Sequence, residues 1–326
     1  MPLVTINADE PLPPRLTALA AGLPEGAPLI FMLHGYGFSP RRHAHSPHAH
    51  ILSLTPRKHR SARSWPRALG FGTGAPDEGL AIAFGWEARG RLHEAYARAD
   101  EVGVALACAI TRLARAARRP VGVIAHSLGA RVALAALRAL PADAAGAVGR
   151  VILLSAAEFR GPALAALDAP GARGTEVFNI TTRENDLFDF AMERWLGAPR
   201  GSALGHGLGG HGPGPHGQGG GRRNWLDIQI DDPATLTALA GLGHLVQGAP
   251  ARVSHYSPYL RPGLFGLYRM LLRRPGEMPL PWLAELLPAE QAPRWSRLRA
   301  PLDGVISALR HRPVAARTGR TAPPAP

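Results

Sequence analysis

The stretch that most constrains this chain runs from Pro120 to Leu140. Pro120-Val-Gly-Val-Ile-Ala125 is a short apolar run, long enough for a strand and too short for a helix. Leu128-Gly-Ala-Arg-Val-Ala-Leu-Ala-Ala-Leu-Arg-Ala-Leu140 is rich in strong helix formers. Only His126 and Ser127 separate the two. A strand this apolar must be covered on both faces, and a strand that passes so abruptly into a helix turns sharply. A parallel sheet with helices on both sides meets both demands.

The rest of the chain repeats that alternation. Leu3–Ala8 reads as a short edge strand and Pro11–Pro28 as a connector interrupted by prolines. Strands are expected at 28–33, 51–55, 79–86, 150–155, 176–181 and 251–254, with a near-alternating run at 224–231. Helices are expected at 89–119, 162–167, 184–196, 233–242 and 264–272, with one or two more in 282–309. Gly103 lies inside the longest helix, where it costs about 1 kcal/mol relative to Ala. The helix 184–196 places Leu187, Phe188, Phe190, Ala191 and Trp195 on its expected apolar face. The expected fold class is α/β, doubly wound around a mainly parallel sheet, with an insertion at 197–250 before the last strand. Within that insertion, residues 201–221 hold eleven glycines and three histidines, a low-complexity loop. The organisation read from this pattern is 1–28 as strand and connector, 29–275 as the main domain, 276–311 as C-terminal helices, and 312–326 as a disordered tail.

Composition narrows the class. Hydrophobic residues make up 46% of the 326, which excludes a disordered chain, and the single Cys108 excludes a disulfide scaffold. No stretch reaches the roughly 18 apolar residues of a membrane span, and the first ten residues show no signal-peptide pattern. A cytoplasmic protein is the expectation. The net charge of +13 invites a nucleic-acid partner. Its location argues otherwise. Residues 41–76 carry seven basic side chains and no acid, and 294–326 carry seven against Asp303 alone. The remaining chain is neutral, and no zinc-finger spacing or aromatic RNA-binding motif accompanies the charge, so no specific nucleic-acid partner is expected.

Ala125-His-Ser-Leu-Gly129 places a serine on the turn between a buried strand and a helix. Small residues at 125 and 129 let the backbones pass closely. The helix N-terminus adds N–H groups that favour developing negative charge. This arrangement resembles the nucleophile elbow of the α/β-hydrolase superfamily, with Ala125 where a glycine is usual. The resemblance covers roughly residues 29–275. It implies a doubly wound fold and an acyl-enzyme on Ser127. His34-Gly-Tyr-Gly37, after an early strand, resembles the superfamily's oxyanion loop, which implies the backbone N–H groups of Tyr36 and Leu128 as oxyanion donors. His34, Gly35, Gly37, His126 and Tyr256 are the residues expected to line the substrate site.

The superfamily order is serine, acid, histidine. Asp186 follows the strand 176–181 at the position of the acid. Asp189 is its rival, Glu184 is read as a helix-start residue, and Glu158 is more remote. Among fourteen histidines, His255 stands where the resemblance places the base, and His244 is the alternative. Many members of the superfamily carry a cap between the strands that here end at Ser155 and begin at Glu176, where this chain has little room. Either 197–250 or 38–80 is therefore a possible lid.

The expected activity is carboxylic-ester hydrolysis on a small-molecule ester or thioester. Thioester cleavage or acyl transfer by the same residues, and a noncatalytic binding protein of the same fold, are the alternatives. No cofactor and no metal are expected: three histidines spaced five apart in a glycine-rich loop do not preorganise a site. Cys108 reads as core. The basic 41–76 segment leaves the sheet beside the oxyanion loop, where it can favour anionic substrates.

Overall fold

A computed structural model describes residues 2–59, 61–208 and 222–298. Seven strands form one sheet: β1 (Leu3–Asn7), β2 (Leu29–Leu33), β3 (Leu80–Gly85), β4 (Val121–His126), β5 (Val148–Leu154), β6 (Glu176–Thr181) and β7 (Trp225–Gln229). Their order is β1-β3-β2-β4-β5-β6-β7, and every neighbouring pair is parallel. The fold is therefore α/β, doubly wound around a parallel sheet, and consistent with the hydrolase type.

Ten helices accompany the sheet among the described residues: α1 (Pro14–Ala21), α2 (Trp65–Ala68), α3 (Leu92–Ala117), α4 (Leu128–Ala139), α5 (Arg160–Asp168), α6 (Asp186–Trp195), α7 (Pro233–Gly241), α8 (Ser257–Leu260), α9 (Leu264–Arg273) and α10 (Leu280–Leu286). Side chains of successive strand residues point to opposite faces. Leu29, Phe31 and Leu33 of β2, with Val121, Val123 and Ala125 of β4, pack under α1, α3, α4 and α5. Ile30, Met32 and Ile124 pack on the other side under α2, α7, α9 and α10. Each face is a continuous apolar layer, which is why these strands read as unbroken apolar runs.

Several expectations change. Residues 51–55 form turns, not a strand; Ile51 and Leu52 are nevertheless fully buried, so their apolar character comes from core packing. The connector 11–28 contains α1, which starts at Pro14, a residue well suited to the first helical turn. No strand forms at 251–254. Among the described residues the last strand is β7, so the extra chain at 197–250 divides into a part before β7 and a part after it. Most of the glycine-rich 201–221 loop, with His211 and His216, lies outside the described residues, as does the chain from 299 onward. Cys108 is exposed rather than core.

Gly103 has a packing role. A Cβ there would overlap the Cβ of Ala135 on α4. The glycine lets α3 and α4 approach closely where Arg131 of α4 also pairs with Glu158 and Asp100 and lies over the Tyr96 ring at 3.6 Å. The helix α6 departs furthest from expectation. Leu187, Phe188 and Trp195 are exposed, while Asp186, Asp189, Met192 and Glu193 are buried. The acidic residues at 186, 189 and 193 share one helix face, and cations beneath them draw that face inward.

Candidate active site

Ser127 sits between β4 and α4 at φ 55°, ψ −125°, a backbone that non-glycine residues seldom adopt. The surrounding chain holds it there. Its N–H donates to Leu154 O at 3.0 Å, and its C=O accepts from Ala130 N–H and Ala157 N–H at 2.9 and 3.1 Å. The loop after β2 presses directly on it. A Cβ on Gly35 would lie 2.5 Å from Ser127 Cβ and 3.2 Å from its Oγ. A Cβ on Gly129 would lie 2.6 Å from His34 O, so glycine lets the first turn of α4 pack against that same loop. Gly37 has φ +91° and carries the loop away, its N–H donating to Ala88 O. Among the described residues, the N–H groups of Tyr36 and Leu128 make no hydrogen bond.

His34 is fully buried, so it serves the loop rather than a ligand. Its Nδ1 meets Gly35 O at 3.0 Å, its Nε2 accepts from Trp86 N–H at 3.1 Å, and its ring stacks on Trp86. Burial lowers its pKa to about 3, which keeps the ring neutral. His126 is 4% exposed and also acts on the backbone: its Nε2 donates to His255 O at 2.9 Å. Its pKa falls to about 4 for the same reason. Tyr36 and Tyr256 are both half-exposed.

His255 lies beside His126, the residue before Ser127, on the loop between α7 and α8. Its ring lies 4.6 Å from that of His126 and stacks on Phe188 at 4.8 Å. Glu184 anchors the loop: its C=O accepts from Ser254 N–H at 2.9 Å, and its buried carboxylate pairs with Arg261. Burial and the neighbouring His126 push the His255 pKa well down, so the imidazole is neutral. His244 stands apart, beyond the end of α7 and beside Gly266.

The side chain that meets His255 is Asn185, whose Oδ1 lies 2.7 Å from His255 Nδ1. Asp186, the residue expected there, is turned away. It pairs with Arg183 at 3.2 Å and accepts from Trp295 N–H at 2.6 Å. One step of register along the turn after β6 separates the two. Asp189 lies behind Asn185 and accepts from its Nδ2 at 2.9 Å. Glu158 is buried on the other side of the sheet with Arg131 and Tyr96. The sequence carried no signal for Asn185 beyond adjacency to Asp186.

Among the described residues, one group of side chains has ligand atoms close enough for a metal: Asp186, Asp189 and His206, mutually within 4.8 Å. Arg183 bonds to two of the three. Its NH1 lies 3.2 Å from both Asp186 Oδ1 and His206 Nδ1.

No protein-family model matches the chain. No curated protein matches it either. Among solved structures it is similar to lipase B of Aspergillus fumigatus, with a TM-score of 0.33 and 13% identity over 82% of this chain. The matched region spans 64% of that lipase's length. No helix among the described residues is long and apolar enough to cross a membrane.

Proposed function

We propose that this protein is a serine hydrolase that cleaves a carboxylic ester through an acyl-enzyme on Ser127. The observation that carries the reading is the Ser127 backbone at φ 55°, ψ −125°, packed against Gly35 at the end of β4. Such strain persists only where surrounding structure enforces it, and it concentrates at functional sites. In this reading His255 Nδ1–H donates to Asn185 Oδ1, which leaves the Nε2 lone pair to take the serine proton. The serine oxygen adds to the ester carbonyl. The N–H groups of Tyr36 and Leu128 receive the oxyanion, and His255 returns the proton to the leaving alcohol. Water then repeats the sequence on the acyl-enzyme. Exposed Tyr36, Leu187, Phe188 and Tyr256 supply apolar surface for the acyl group.

A second reading, a noncatalytic binding protein of the same fold, draws support from Asn185 itself, since an amide replaces the acid. A fluorophosphonate probe separates the two. Labelling of the wild type, absent in Ser127→Ala, supports the hydrolase; an inert wild type supports the binding protein. Ester panels then test thioester and acyl-acceptor alternatives.

A further inference from the structure

An amide beside a catalytic histidine is ambiguous where a carboxylate is not. With its oxygen toward Nδ1, it accepts the ring's proton and leaves Nε2 free as a base. Flipped, its NH2 donates to Nδ1, the proton moves to Nε2, and the ring cannot accept from the serine. A serine hydrolase given an amide at this position in place of its acid loses about 10⁴ in kcat for that reason.

We propose that Asp189 is a positioning residue that locks the Asn185 amide with its oxygen toward His255, so that a Ser127–His255–Asn185–Asp189 chain does the work of a conventional acid triad. The inference rests on the hydrolase reading of Ser127 and His255. The geometry is direct. Asn185 is 2% exposed, with Oδ1 2.7 Å from His255 Nδ1 and Nδ2 2.9 Å from Asp189 Oδ1. A carboxylate oxygen without a proton only accepts, so it selects the NH2 end of the amide. The oxygen is then left for the histidine, which must carry its proton on Nδ1.

Asp189 is itself fixed. It is 2% exposed, and it faces Arg183 from the turn after β6, Asp186 from the start of α6, Arg294 from the C-terminal segment, and Gly205 from the segment before β7. A side chain at 205 would strike Asp189 Oδ2, so glycine there makes room for the carboxylate. Burial lifts the Asp189 pKa to about 7. The lock is strictest above that pH, where the ionised carboxylate can only accept.

Asp189→Asn and the exchange Asn185→Asp/Asp189→Asn test the lock. An amide at 189 can donate or accept, so Asn185 loses its bias. The exchange restores a hydrogen bond of reversed polarity and places a carboxylate against His255. Two readouts apply: the fluorophosphonate labelling rate at Ser127, and the His255 tautomer by ¹⁵N NMR, assigned by signals lost in His255→Gln. In the wild type the proton resides on Nδ1. In Asp189→Asn an Nε2–H population appears and labelling slows about tenfold or more, while the exchange returns both. A labelling rate and tautomer unchanged in Asp189→Asn overturn the proposal. So does an exchange variant as slow as Asp189→Asn, which would make Asp189 a structural residue. An unlabelled wild type with the tautomer shift intact sinks the hydrolase reading and leaves the lock standing.

Discussion

At the scale of single residues, the site depends on positions where almost nothing can be added. Gly35 has no positive φ to explain it; its requirement is the Ser127 side chain 2.5 Å from where a Cβ would go. Gly35→Ala must displace either the loop or the serine. The expected outcome is a loss of at least about 100-fold in labelling rate, since an oxyanion donor alone contributes about that much. The stability cost is about 1–3 kcal/mol, as for other overpacked sites. A labelling rate within threefold of wild type would remove this loop from the mechanism. Ser127, Gly35 and Gly129 were legible in the sequence because strand–turn–helix patterning and small residues mark close backbone approach. His255 was named from its place after Asp186 at the end of an expected strand, 251–254, that does not form. Asn185 was not legible. Whether 185 or 186 faces the histidine depends on the short 3-10 turn over Arg183–Asn185 between β6 and α6. No periodicity in the sequence reports that turn.

At the scale of elements, a side chain's nature predicts its face only when packing decides alone. Most strands and helices obeyed that rule, and α6 did not. Its Leu187, Phe188 and Trp195 lie outward because Arg183 pairs with Asp186, while Arg294 pairs with Glu193, on the inward face. Burying charged pairs fixes geometry at a desolvation cost. Asp189 shows that cost. Its folded pKa of about 7 lies above the ordinary carboxylate value, so the folded state holds a proton that the unfolded state releases. Its contribution to stability therefore falls as pH rises from about 4 to 7. The stability of Asp189→Asn relative to wild type should rise across that window and level off above it, measured by denaturant titration at each pH. Gly103 gives a second test at this scale. In an open helix Gly→Ala stabilises by about 1 kcal/mol. Here the Cβ meets Ala135 of α4, so Gly103→Ala should instead destabilise by about 1–3 kcal/mol. A stabilised variant would mean that α3 and α4 part without cost.

For the whole molecule, net charge is a poor guide to behaviour, and buried histidines are a better one. Of the basic side chains in 41–76, Arg41 pairs with Asp9, Arg67 donates to Leu54 O at 2.5 Å, and Arg63 lies over the Phe265 ring at 5.0 Å. All three make contacts within the fold, although the Arg41 side chain stays 75% exposed. The imidazoles are not balanced in the same way. His34 and His206 titrate at about 3, and His48 and His126 at about 4, each lowered mainly by burial. An unfolded histidine takes up its proton near 6.5. Between pH 6.5 and about 4 the unfolded chain therefore binds protons that the folded chain refuses, and stability falls on acidification. His34 and His126, both almost fully buried, each contribute about 1.4 kcal/mol per pH unit well below 6.5. Asp189 and Asp186, both raised mainly by burial, oppose them, but the four lowered histidines outnumber them. Denaturant midpoints should drop steadily from pH 7 to pH 5, before the ordinary carboxylates titrate. His126→Gln should flatten that slope by about one proton's worth, even if its stability at pH 7 is lower. A midpoint that holds or rises between pH 7 and pH 5 would mean that these rings are protonated in the fold, and the neutral His34 and His126 hydrogen bonds that shape the site would have to be redrawn.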